Sequence, residues 1–177
     1  MAYPVPILLI IWRRPNTTKQ VINAIKNILP SSIYIACDGP RLGLEDELEK
    51  VNLTRSLALN SIDWDCEVKT RFSEINLGCR DGVSSAISWF FEHVNEGIIL
   101  EDDVLPHPEF FEYCHLCLKK YRADSRIWAI SGKQTREEQE ISGKHSCAPL
   151  HLRYNFSCWG WATWRDRWLD YSPRLDQ

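Results

Sequence analysis

At 177 residues, with 44% apolar and 25% charged residues, the chain has the size and composition of one soluble globular domain with a full core. Its formal net charge of −3 excludes the basic footprint of a nucleic-acid binder, so no nucleic-acid partner is expected. No run approaches the roughly 18–20 apolar residues of a membrane span, and residues 5–12 are too short and in the wrong context for a signal peptide. The expected location is the cytoplasm, with peripheral membrane association left open. Seven irregularly spaced cysteines read as free thiols, mostly buried. Cys114-x-x-Cys117 lacks the second pair a zinc site needs, and it falls within an apolar helical stretch.

The apolar run 5–12 (VPILLIIW) predicts a first strand buried on both faces. Asn16 is a plausible cap for a helix carrying Val21, Ile22, Ile25, Ile28 and Leu29 on one stripe and stopped by Pro30. Ser32–Cys37 reads as a second strand ending in the turn signal Asp38-Gly39-Pro40. Residues 42–59 carry a charged helical pattern with Leu44, Leu48, Val51 and Ala58 on one face. A third strand is expected within 65–72. A helix over about 81–95 follows, with Val83, Ala86, Ile87, Phe90 and Val94 inward.

The fourth strand, 97–100, delivers three adjacent carboxylates, Glu101, Asp102 and Asp103, to its C-terminal end. His107 or Pro108 opens a further helix through Phe110, Phe111, Cys114, Leu118 and Tyr121, and 126–131 reads as a fifth strand. Residues 132–147 are polar and contain glycine, the composition of a mobile loop. In the aromatic segment 154–168, Trp159 and Trp161 alternate as in a strand, whereas Trp164 and Trp168 suit one helical face and the core.

This βαβαβαβαβ order predicts a mostly parallel, Rossmann-like α/β sheet with helices on both faces. Such sheets bind ligands at the carboxyl ends of their strands. Arg13 and Arg14 follow the first strand, Asp38 the second, and Glu101–Asp103 the fourth, so three strand ends converge on one rim. Adjacent carboxylates repel and are costly unless a cation or donors absorb the charge. An all-oxygen set suits Mg²⁺ or Mn²⁺ carrying phosphate oxygens, which points to a phosphorylated, nucleotide-like substrate. Each assignment has a structural competitor: a solvated turn for the acidic trio, surface charge for the arginines, an Asx-turn for Asp38, and a local ion pair for Arg80 with Asp81. Trp159 and Trp161 divide between core packing and stacking on sugar rings, and Gly160 between them permits close approach of a ligand. Of the scattered histidines (His93, His107, His115, His145, His151), only His107 stands near the acidic trio, with a helix-start role favoured.

The motifs IIWRRP (10–15), ACDG (36–39), NLGCR (76–80), IILEDDVLP (98–106), FFEY (110–113) and WGWATW (159–164) together resemble nucleotide-sugar-dependent glycosyltransferases of the GT-A fold. The likeness is greatest to the N-acetylglucosaminyltransferases that initiate complex N-glycans and to their bacterial relatives, and its landmarks run from residue 5 to 168. The resemblance implies a single GT-A-like domain over 1–177 that lacks a C-terminal part. It implies that Asp103 ligates Mn²⁺ or Mg²⁺ on the donor diphosphate, that Asp102 approaches the ribose or metal-bound waters, and that Glu101 approaches the donor sugar. Arg14 would contact the donor phosphates, Asp38 the base, and Arg80 the base or diphosphate. Trp159, Gly160 and Trp161 are then candidates for the acceptor side.

The implied reaction transfers a sugar from a nucleotide-sugar donor to a hydroxyl of a glycan, lipid or protein acceptor, with inversion. A carboxylate base is required, and in the relatives it lies beyond the WGW-like segment. Here only Asp166, Asp170 and Asp176 follow, and Asp166, between two arginines, reads as an ion-pairing group. The catalytic residue is therefore unassigned. Two rivals remain: a donor-binding or scaffold module without catalysis, and a sugar-nucleotide pyrophosphorylase. The second is disfavoured because the loop after the first strand has no glycine.

Overall fold

The computed structural model describes residues 2–133, 152–154 and 156–171. Most of the expected 132–147 loop, together with His145, His151 and Asp176, falls outside those residues. The elements in order are β1 (Ile7–Ile11), α1 (Pro15–Lys26), β2 (Ser32–Cys37), α2 (Glu45–Asn60), β3 (Glu67–Phe72), α3 (Gly78–His93), β4 (Glu96–Glu101), α4 (Pro108–Tyr121), β5 (Ile130–Ser131), β6 (Trp161–Trp164) and, last, a helix here termed α5 (Arg165–Tyr171).

The described strands form one six-stranded sheet in the order β3-β2-β1-β4-β6-β5. β1 pairs in parallel with β2 on one side and β4 on the other. β6 runs antiparallel to both β4 and β5, an exception to the otherwise parallel sheet. Pleating sends alternate residues of β1 to opposite faces. Ile7, Leu9 and Ile11 pack under α1, α2 and α4 with Val21, Ile22, Ile25, Val51 and Phe111. Leu8 faces the other way, toward Ala86, Ile87, Phe90 and Phe91 of α3 and Trp168 of α5. Helices therefore cover both faces, and each large apolar side chain so buried contributes roughly 1.5–3 kcal/mol.

Several boundaries differ from the sequence expectation for physical reasons. α1 opens on Pro15 at its first position, and its cap residue is Arg14 with no side-chain capping bond, so Asn16 is not the cap. α2 begins at Glu45 and buries Glu47, Val51, Thr54 and Ala58. Leu44 and Leu48 are about half exposed instead of lying on the buried face. α3 starts at Gly78, three residues before the expected Asp81, because a carboxylate from the end of β2 receives its first amides. The fifth strand shrinks to Ile130–Ser131. Trp164 is the last residue of strand β6 and is fully buried, whereas Trp168 alone belongs to a helix. Cys114 and Cys117 are buried on α4, where burial pushes both thiols up.

Candidate active site at the β1–β4 switch point

Strand order proceeds outward through β2 and β3 on one side of β1 and begins again at β4 on the other. The crevice between the carboxyl ends of β1 and β4 is thus a topological switch point, the usual ligand position in such sheets. β1 delivers Trp12, Arg13 and Arg14 there, and Pro15 turns the chain at once into α1. β4 delivers Glu101, Asp102 and Asp103.

The structure joins these two groups directly. Arg14 Nη1 donates to Asp102 Oδ1 at 3.1 Å and to Asp103 Oδ2 at 2.5 Å. Asp102 is nearly buried, and its Oδ2 accepts the main-chain N–H of Trp12 at 2.9 Å. Burial raises the Asp102 pKa, and Asp103 adds to the rise, while the Trp12 amide and Arg14 partly offset it. Glu101 is also raised, first by burial and then by repulsion from Asp103 and Asp102. For Arg14, desolvation opposes the charge, but Asp102 and Asp103 outweigh it and raise its pKa. Asp103 and Arg14 keep about half of their side-chain surface in solvent, at 47% and 53%. The cluster therefore presents one accessible carboxylate and one accessible guanidinium over a buried, charge-strained base.

Asp38 occupies the neighbouring strand end in a different role. Its two oxygens accept the main-chain N–H groups of Gly39, Leu77 and Gly78 and the amide of Asn76, all within 2.9–3.0 Å. These contacts fill the acceptor capacity of a carboxylate, so Asp38 ties the end of β2 to the start of α3. It exceeds the Asx-turn expected from Asp38-Gly39 alone. Arg80 lies exposed in the first turn of α3, two residues beyond Gly78.

A hydrogen-bonded chain runs along the rim. Gly39 N–H donates to Ile75 O at 3.2 Å. Gly39 O accepts the Trp12 indole N–H at 3.0 Å, and the Trp12 main chain reaches Asp102. Arg13 does not join Arg14. It donates to Glu47 of α2 at 2.5 Å, where Arg41 binds as well. Glu47 was invisible as a site residue in the sequence; its only signal is the stripe Glu47, Val51, Thr54, Ala58, which places a carboxylate on a buried helix face.

Beyond Asp103 a cleft of about 370 Å³ is lined by Val104, Leu105, Pro106, His107, Phe110, Gly132, Trp159 and Gly160. Gly160 has φ +73°, a conformation suited to glycine, and turns the chain into β6. Trp159 is largely exposed, with Lys133 Nζ 4.4 Å from its ring centroid. Trp161 does not line this cleft: it is buried in the core beneath α3, so only Trp159 and Gly160 of the acceptor-side trio face it. His107 caps α4 by accepting the Glu109 N–H. Asp166 is bound by Arg122 and Arg167, the ion-pairing role expected of it, and Asp170 lies exposed on α5.

Among the described residues no three His, Cys, Asp or Glu side chains form a metal-holding group. The donor set still suits a hard divalent ion carried on phosphates, since Mg²⁺-type sites commonly use one or two carboxylates plus substrate oxygens. Of the three carboxylates, Asp103 is the half-exposed one that could serve as such an anchor. No helix among the described residues is long and apolar enough to cross a membrane.

Together the sheet order and the helices on both faces give a GT-A-like α/β fold, shared with solved structures. One solved structure with this fold is the mannosyltransferase PcManGT from Pyrobaculum calidifontis in complex with GDP-Man and Mn²⁺, at TM-score 0.58 and 13% identity, over 91% of this chain. The match covers 44% of that protein, so the chain spans less than half its length. A second is 4-diphosphocytidyl-2C-methyl-D-erythritol synthase from Anaerococcus prevotii, at TM-score 0.55 and 9% identity, over 98% of this chain and 78% of the other. No protein-family model matches the chain, and no curated protein matches it in sequence.

Proposed function

We propose that this chain is the donor-binding domain of a glycosyltransferase that transfers a sugar from a nucleoside-diphosphate sugar to an acceptor hydroxyl, with inversion. The observation that carries the reading is the Arg14–Asp102–Asp103 cluster at the β1–β4 switch point. Within the GT-A group, IILEDDVLP and FFEY support kinship with the N-acetylglucosaminyltransferases that initiate complex N-glycans. The acceptor is a glycan, lipid or protein, met at the cleft beside Trp159.

Asp103 is the residue to hold Mn²⁺ or Mg²⁺. When bound, such an ion offsets the negative charge of a departing diphosphate. Arg14 turns its exposed guanidinium from Asp103 to the phosphates and stabilises the same charge. Asp102, held by the Trp12 N–H, fixes Arg14 in place, and Glu101 faces the donor sugar. Asp38 acts through position: it sets the start of α3 and hence Arg80 beside the nucleotide. Asp166, engaged by two arginines, is a poor acceptor base.

The test is calorimetric titration with a panel of nucleoside-diphosphate sugars that includes GDP-mannose, with and without Mn²⁺. Metal-dependent binding that falls at least about tenfold in Asp103→Ala supports the reading; absent or metal-independent binding refutes it. A second reading, nucleotidyl transfer, draws on the synthase neighbour, which the chain matches over 78% of its length. Pyrophosphate release from a nucleoside triphosphate and a sugar phosphate would favour that reaction. Donor binding with neither reaction would leave a binding module.

A further inference from the structure

Glu47 is a carboxylate where an apolar residue would be expected. It stands in the first turn of α2 on the stripe that continues through Val51, Thr54 and Ala58, with its side chain 4% exposed. A buried ion pair adds little net stability over a well-packed apolar side chain, so stability alone does not select a carboxylate over an apolar residue here. Its contacts show what it does instead. Arg13, which follows β1, donates to Glu47 Oε1 at 2.5 Å. Arg41, in the loop after β2, donates Nη2 to Oε1 at 2.8 Å and Nε to Oε2 at 3.1 Å, and its main-chain N–H reaches Oε2 at 2.8 Å. One carboxylate thereby staples the ends of two adjacent strands.

Both guanidinium groups lie against the same ring. Arg13 Cζ is 4.4 Å and Arg41 Cζ 5.7 Å from the Trp12 centroid. Cation–π contact favours this stacking, and the shared anion removes the repulsion between two adjacent cations. The orientation of Trp12 matters because both its N–H groups are committed: the indole to Gly39 O and the main chain to Asp102 Oδ2. Asp102 in turn receives Arg14 at 3.1 Å. The path from α2 to the acidic rim is continuous, and every link is a contact of at most 5.7 Å.

We propose that Glu47 is a positioning residue for the donor site, clamping Arg13 and Arg41 about Trp12 and so fixing the Trp12 N–H that holds Asp102 beside Asp103. The inference rests on the donor-site reading for its ligand, but its geometry is testable without one. Outer-shell partners of ligating groups typically cost ten- to a hundredfold in metal affinity when removed.

The experiment compares wild type, Glu47→Gln and Val51→Ala, the last a perturbation of the same helix stripe that touches neither arginine. In Glu47→Gln, Mn²⁺-dependent nucleotide-sugar affinity should fall about tenfold. Amide exchange of Trp12 should accelerate relative to Leu9 within β1. Val51→Ala should leave both ratios at the wild-type value. Glu47→Gln matching wild type, or matching Val51→Ala, overturns the proposal. If wild type binds no nucleotide sugar, the functional reading fails and the Trp12 exchange ratio alone decides: faster supports the clamp, unchanged overturns it. Should Glu47→Gln not fold, Arg41→Ala opens the clamp from its half-exposed side and must show the same two shifts.

Discussion

Glu101 shows how a single residue can be tuned against stability. Its pKa is raised by burial first and by Asp103 and Asp102 next. A carboxyl raised in the fold binds its proton more tightly there than in the unfolded chain, so its ionisation at neutral pH opposes folding. Glu101→Gln should therefore raise the melting temperature of the ligand-free protein at pH 7 while weakening donor affinity. Parallel thermal and calorimetric measurements check both signs; a lower melting temperature would contradict the charge-strain account. Gly39 is constrained differently, by space. A Cβ there would stand 2.5 Å from the backbone of Ile75, which has no flexible end to move. Gly39→Ala should cost about 1–3 kcal/mol in chemical denaturation and loosen the Trp12 indole bond to Gly39 O.

At the scale of elements, the clamp between α2 and the β1 and β2 ends carries a pH signature. The arginine contacts, Arg41 first, lower the Glu47 pKa from 4.5 to about 2. A depressed carboxyl contributes stability that is complete above its unfolded value and lost as pH falls through the folded one. Stability should thus decline between about pH 4.5 and 2, and Glu47→Gln should flatten that limb in denaturant titrations across the range. The same elements show what sequence could convey. β2 was legible to the residue because SIYIAC is an apolar β-branched run closed by a turn signal. The start of α3 was not, because the carboxylate that receives its first amides is Asp38, about forty positions earlier. On α2, Val51 and Ala58 are buried as expected, but Leu44 and Leu48 gave a louder signal than Glu47, whose partners are arginines from other loops. β6 was hidden by tryptophan spacing: its slot between β4 and β5 belongs to the sheet and not to the segment itself.

For the whole molecule, alternation of strands and helices foretold a parallel α/β sheet, and convergence of Arg14, Asp38 and Glu101–Asp103 on one rim followed from topology alone. The sequence could not show how those residues divide their work. Arg14 joins the acidic trio, Arg13 leaves it for Glu47, and Asp38 serves α3. These pairings depend on side-chain reach across strand ends that lie far apart in the chain. The central claim is that a metal–diphosphate pair sits at the β1–β4 crevice beside Asp103. Paramagnetic line broadening in amide NMR spectra, on adding Mn²⁺ with a nucleoside-diphosphate sugar, tests it most directly. The account predicts broadening centred on Trp12, Arg14 and residues 101–104, lost in Asp103→Ala. Broadening centred elsewhere, or unchanged by that substitution, would contradict it.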